Sequence, residues 1–313
     1  MVKLFLIVPC YNEEKALPLS APVMREKMEE LCKSGIISKD SRIVFVDDGS
    51  KDSTADIIRS LHNSSPLFSG IFLSRNRGHQ NALLAGLHFA SGKCDCAVSL
   101  DCVLQDDINA IDIMLERFNE GYDIVYGVRS SRKKDSFFKR ITAKGFYKTV
   151  NLLGGGLIED HADYRLMSSK ALTALKEFKE VNVFLRGMVP MLGFKSDIVY
   201  YERIKRVAGE SKYPLRKMLS FAGEGVTSLS TRPLNLIIGL GTVITFVSFI
   251  MLIYSLIQHF TGNTEVGWTS TFVSIRFLGG LQLTAIGVIG KYIGKIYLET
   301  KHRPPYIIEE IIE

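Results

Sequence analysis

Cysteine is sparse in this chain, and what there is lacks a metal-binding arrangement. The five cysteines, Cys10, Cys32, Cys94, Cys96 and Cys102, are odd in number and show no zinc-finger spacing with the histidines, so they are expected to be reduced packing residues of a cytosolic protein. A strong charge excess is missing too. With 39 Lys and Arg against 33 Asp and Glu, 313 residues carry only +6, which suits a phosphate-bearing ligand or an anionic membrane better than nucleic acid. Met1 opens no secretory leader, so the Asn63-Ser-Ser acceptor pattern is expected to be chance.

Charge vanishes altogether from Leu234 to Ile257, and about 20 such residues are enough to span a bilayer as a helix. A second span is expected from about Trp268 to Ile289, and the connector Gln258 to Gly267 contains neither Lys nor Arg. Arg232 precedes the first span, while Lys291, Lys295, Lys301 and Arg303 follow the second. The positive-inside rule then puts both ends in the cytoplasm and Trp268 at the outer interface. Arg276 interrupts the second span, where a central charge costs about 2.5–3.5 kcal/mol. It either faces the hairpin partner, another subunit or a lipid phosphate, or it snorkels. Residues 211–233 are too polar to span, and their basic start suits a helix lying on the cytoplasmic leaflet.

The residues ahead of Ser211 alternate short apolar runs with helical stretches, the signature of a helix-covered parallel sheet. Lys3 to Pro9, Arg42 to Val46, Ile71 to Ser74, Cys96 to Leu100 and Asp123 to Gly127 read as strands, and a further strand ends at Tyr201. Several run directly into polar turns: Tyr11-Asn-Glu-Glu14, Asp47-Asp-Gly-Ser50, Arg75 to Asn81, and Asp101 followed by Gln105, Asp106 and Asp107. Ligands of open parallel sheets bind beyond those strand ends. Hard oxygen ligands there suit Mg²⁺ or Mn²⁺ carrying a diphosphate, and carboxylates suit ribose or base. Ser53 and Thr54 are expected to cap the helix that follows. His79 lies near a helix start and reads either as a phosphate neighbour or as a hydrogen-bonded structural residue. Asp163 beside Arg165 reads equally as a surface pair or as part of a site. A basic helix is expected over 137–153, and Gly154-Gly-Gly156 is too poor in pattern for a phosphate loop.

Five stretches together resemble glycosyltransferase family 2 over nearly the whole chain: Pro9-Cys-Tyr-Asn-Glu-Glu, Val46-Asp-Asp-Gly-Ser, Leu73-Ser-Arg-Asn-Arg-Gly-His-Gln-Asn, Asp101-x-x-Leu-Gln-Asp-Asp and Ala162-Asp-Tyr-Arg-Leu-Met. With Ala208-Gly-Glu-Ser-Lys-Tyr213 and two terminal spans, the chain is most similar to the polyprenyl-phosphate branch of that family, which includes bactoprenol glucosyltransferases and dolichol-phosphate mannose synthases. The resemblance implies an α/β GT-A (Rossmann-like) catalytic domain over 1–210, a juxtamembrane interfacial region over 211–233, a two-helix hairpin over 234–290 and a cytosolic tail over 291–313. It also implies inverting transfer of one hexose, with UDP-glucose the expected donor, to undecaprenyl or another polyprenyl phosphate on the cytosolic leaflet. A homo-oligomer such as a tetramer is a further expectation by resemblance.

By position, Pro9, Tyr11, Glu13, Asp47, Asp48 and Asp101 would hold the nucleotide sugar. Asp101 and Gln105 would lie at Mg²⁺ or Mn²⁺, and Arg129 and Arg140 at the acceptor phosphate, with Arg206 and Lys212 as further candidates. Asp163 matches a catalytic acid/base position and, with Asp101, makes the catalytic pair. One position departs from the family. Its pattern at the strand end is Asp-x-Asp, and the second acid is here Val103, which should weaken metal affinity unless Gln105, Asp106 or water compensates. Two other readings remain open: a polysaccharide synthase of the same family, for which one hairpin offers too few spans, and a sugar-nucleotide-binding homologue without activity.

Overall fold

A computed structural model describes residues 1–130, 161–202, 231–261 and 267–313. Its centre is an eight-stranded sheet in the order β7-β5-β6-β4-β1-β2-β3-β8. The strands are β1 (Leu4–Cys10), β2 (Arg42–Asp47), β3 (Phe68–Leu73), β4 (Cys96–Ser99), β5 (Ile124–Arg129), β6 (His161–Ser168), β7 (Ser196–Tyr201) and β8 (Ile308–Ile312). β1 lies between β2 and β4, parallel to both, and β3 is parallel to β2. The helices are α1 (Leu17–Lys33), α2 (Thr54–Ser64), α3 (His79–Ala90), α4 (Ala110–Asn119), α5 (Ser169–Lys176), α6 (Leu185–Met191), α7 (Arg232–Phe260) and α8 (Trp268–Thr300).

The alternation of side chains along β1 splits the core in two. Leu4, Leu6, Val8 and Cys10 join a layer with α1, α2 and α4, whereas Phe5 and Ile7 join one with α3, α5 and α6. A strand buried on both faces has no polar side to show, which is why β1 reads as a continuous apolar run. α3 sits so close to the sheet that a Cβ on Gly86 would come within 2.3 Å of the Ile7 Cγ2.

The architecture is a GT-A-like α/β fold, but the sheet is mixed rather than parallel throughout. β6 runs antiparallel between β4 and β5, and β8 runs antiparallel along β3. The sequence reading gave neither stretch a strand. Ser168 ends β6 and caps α5, its hydroxyl accepting the Ala171 N–H at 3.1 Å and donating to Asp123 at 2.8 Å. The expected capping of α2 differs: Ser53 makes no side-chain cap bond, and Asp52 instead accepts the Thr54 N–H at 3.0 Å and its hydroxyl at 2.6 Å.

α7 and α8 are long and apolar enough to cross a membrane, by length and composition, and their apolar stretches Pro233–Met251 and Phe277–Thr300 are 0% buried. Arg276 falls within α8, and its side chain lies outside the described residues. Beyond α8 the chain returns to the catalytic sheet. The Tyr306 hydroxyl meets His88 at 2.8 Å, Arg59 pairs with Glu310 at 2.8 Å, and Lys93 pairs with Glu313.

Candidate active site

The carboxyl ends of β1, β2 and β4 open onto one edge of the sheet, and their turns are stitched together by hydrogen bonds. Asp48 N–H donates to the Cys10 carbonyl at 2.9 Å. Asn12, with φ of 54°, donates its N–H to Ser50 Oγ at 3.0 Å and accepts the Lys51 N–H at 2.9 Å. Glu13 N–H donates to Thr54 Oγ1 at 2.8 Å. Within this frame Pro9 is buried inside β1, Tyr11 is 41% exposed at the mouth, and Glu13 is half-buried.

Asp47 and Asp48 are buried. Asp48 accepts the backbone N–H groups of Arg77 at 2.7 Å and Gly78 at 2.8 Å, folding the turn between β3 and α3. Gly49 makes this possible, since at φ +66° a Cβ there would sit 2.6 Å from the Arg75 carbonyl carbon. Asp47 accepts the Ser50 N–H at 3.2 Å. Burial pushes both carboxyls above the ordinary aspartate value despite these bonds.

Asp101 leaves the end of β4 half-buried, and the turn after it passes through Leu104 at φ 46°. Val103, Gln105 and Asp106 then point inward. Asp106 accepts the Tyr201 hydroxyl at 2.6 Å and Arg129 Nη2 at 3.2 Å. Asp106, one of the groups expected to compensate for Val103, thus has its Oδ1 engaged by β5 and β7. Arg129 remains 34% exposed, and its Nε has no hydrogen-bond partner among the described residues. The structure thus sets a partly exposed cation beside the Asp101 turn. Arg140, Arg206 and Lys212 lie outside the described residues.

Asp163 is not a surface pair. Arg186 grips it with two nitrogens, Nε to Oδ1 at 3.2 Å and Nη2 to Oδ2 at 3.1 Å. Arg165, fully buried, donates Nη2 to Oδ1 at 2.9 Å and Nη1 to the Leu185 carbonyl at 3.1 Å. Gln80 donates to Oδ2 at 3.2 Å and accepts the Leu185 N–H at 3.1 Å. His79, 44% exposed, brings its Nε2 to 3.6 Å from Oδ2. Burial opposes ionisation of Asp163, but Arg186, His79 and Arg165 outweigh it and hold the carboxyl well below the usual range. Burial likewise opposes the His79 imidazolium, and Asp163, with Asp101 further off, raises its pKa regardless. His79 thus stands in the field of two carboxylates, one from each motif.

Sequence reading missed Arg186, Gln80 and Tyr201 as parts of this constellation. The one signal for Arg186 is a lone cation in the apolar stretch Phe184-Leu-Arg-Gly-Met-Val. Gln80 lies inside a quoted motif but was given no role there.

Among the described residues no three His, Cys, Asp or Glu side chains gather as a metal site. Of the two residues expected at the ion, Asp101 is a half-buried carboxylate and Gln105 an amide buried along with Val103. That set fits a Mg²⁺ or Mn²⁺ ion held mainly through substrate phosphates and water, since such ions usually take only one or two carboxylates from the protein.

The profile of Glycosyl transferase family 2 matches residues 5–175. This chain belongs to that family. It is 41% identical to the prophage bactoprenol glucosyl transferase homolog of Escherichia coli (strain K12), covering 99% of each chain. Against the bactoprenol glucosyl transferase of Shigella phage SfV identity is 41% with 98% of each covered. An uncharacterized glycosyltransferase of Bacillus subtilis (strain 168), YkoT, is 49% identical over 98% of this chain and 91% of its own. Among solved structures, mannosyl-3-phosphoglycerate synthase from Rubrobacter xylanophilus overlays with a TM-score of 0.49 at 14% identity, covering 72% of each chain. As a family 2 member the protein is a glycosyltransferase; the Asp101 turn, His79, Gln80, Asp163 and Arg165 lie within the matched residues, and Arg186 lies beyond them.

Proposed function

We propose that this glycosyltransferase moves one hexose, glucose from UDP-glucose, onto undecaprenyl or another polyprenyl phosphate at the cytosolic face of a membrane. The observation that carries this reading is the full-length likeness to bactoprenol glucosyl transferases, which runs through the two apolar C-terminal helices. In this reading 1–210 with β8 forms the cytosolic catalytic domain, 211–233 rests on the leaflet, and 234–257 and 268–289 cross the cytoplasmic membrane. The termini stay cytosolic, and self-association into a tetramer is part of the proposal.

The chemistry follows from the charges. A phosphate monoester is already anionic near neutral pH, so the acceptor oxygen attacks the anomeric carbon without a strong base. Asp163 is suited to neither base nor nucleophile work, because its oxygens are occupied by Arg165, Arg186 and Gln80. Its role is to fix Arg186 and His79 beside the reacting groups, where they offset charge as it develops. Arg129 supplies a donor to the acceptor phosphate. Tyr11, Glu13, Asp47 and Asp48 form the floor for the nucleoside. Asp101 and Gln105 would hold a divalent ion that neutralises the leaving diphosphate. With no enzyme nucleophile, one displacement inverts the anomeric centre.

The test is transfer of radiolabel from UDP-glucose, UDP-galactose, UDP-N-acetylglucosamine and GDP-mannose by the full-length protein in detergent with undecaprenyl phosphate, with and without Mn²⁺. Label is expected in the organic phase from UDP-glucose. Label that stays in water with every donor would overturn the proposal.

A further inference from the structure

α8 is longer than a bilayer requires. Its 33 residues extend about 50 Å at about 1.5 Å each, against a hydrocarbon core of about 30 Å. In the orientation proposed above, its last turns carry Lys291, Lys295 and Glu299 out of the lipid toward the catalytic domain. There the Glu299 carboxylate accepts the Val181 N–H at 3.0 and 3.1 Å, the Asn182 N–H at 2.9 Å and the Asn182 side-chain amide at 2.7 Å. These are charge-assisted bonds to consecutive backbone groups, the stronger kind. Val181 and Asn182 belong to the connector leading into α6, and α6 begins with Leu185 and Arg186. Leu185 is held by Gln80 and Arg165, and Arg186 grips Asp163.

We propose that Glu299 is a positioning residue for the transfer site: the end of the second membrane helix fixes the 181–184 connector, and through it the start of α6 that presents Arg186 to Asp163. The catalytic geometry is then tied directly to the membrane anchor, beyond the tie made by β8. This rests on the reading of the Asp163 cluster as part of the transfer site. A site misplaced by about 1 Å loses on the order of a hundredfold in rate, so a connector released from α8 is felt in kcat more than in donor binding.

The experiment uses the full-length protein in detergent and the variants Glu299→Ala, Glu299→Gln and Glu310→Ala. Glu310→Ala removes the tail contact to Arg59 and leaves the connector alone. Hydrogen exchange should quicken across 181–187 in Glu299→Ala. With UDP-glucose and undecaprenyl phosphate, its kcat should fall about tenfold while the KM for UDP-glucose stays within about twofold, a modest share of the loss a misplaced site can show. Glu299→Gln, whose amide oxygen still accepts, should recover most of the kcat, and Glu310→Ala should behave as the native protein. Equal kcat losses in Glu299→Ala and Glu310→Ala would reduce the effect to general docking of the tail and overturn the proposal. Exchange is read without substrate, so unchanged exchange across 181–187 in Glu299→Ala overturns the link whatever the lipid assay gives.

Discussion

At Asp163, Arg165, Arg186, Gln80 and His79 converge on two carboxylate oxygens. Neutralising that carboxylate would strand the fully buried Arg165 guanidinium, and breaking a buried pair in this way costs about 3–5 kcal/mol. The cluster therefore holds this part of the fold together. At the other motif the deficit is of charge. Restoring the second acid by Val103→Asp should lower the Mn²⁺ concentration needed for half-maximal transfer by about tenfold, because affinity follows the number of charged oxygen ligands. A metal titration of the lipid-transfer rate checks this, and an unchanged midpoint would mean the ion is held elsewhere. Residue by residue, the sequence was informative where a polar side chain directly follows an apolar run, as at Asp101 and Arg129. It was silent on Arg186, which reaches Asp163 from α6, and on Tyr201, an aromatic whose hydroxyl holds Asp106. Contacts of that kind depend on tertiary approach and leave no local spacing to read.

At the scale of elements, β1, β2, β4 and β5 were legible because both faces are buried, so each appears as an unbroken apolar run. β6 was not, because Arg165 within it is fully buried yet reads as a surface charge. β8, Ile308-Glu-Glu-Ile-Ile312, lies at the sheet edge with its middle three residues exposed and has no strand-like alternation to read. The approach of α3 to the sheet gives a direct test. In Gly86→Ala the helix gains about 1 kcal/mol of propensity, while overpacking costs about 1–3 kcal/mol. Contacts of 2.3 Å to Ile7 and 2.9 Å to Val46 put that cost at the upper end. A net loss of about 1–2 kcal/mol is expected, seen as a lower Tm in detergent; a Tm at or above the native value would show that α3 can move outward freely.

Across the whole molecule, one sheet gathers the acidic turns of β1, β2 and β4, the cations Arg129 and Arg186, and the tail that follows the apolar helices. The two C-terminal helices were the plainest message in the sequence, since absence of charge over a long run needs no tertiary information. Their joining to the sheet through Glu299 and β8 was not readable, because the contacts pair residues more than a hundred positions apart. What the assembly does in the proposed reading is let a lipid phosphate strike the donor sugar directly, with Asp163 bound up as a fixed anion. The anomeric configuration of the lipid-linked sugar made from UDP-glucose, read by proton NMR, tests that step most directly. A β-linked glucosyl phosphate is expected from the α-linked donor; an α-linked product would contradict a single inverting displacement.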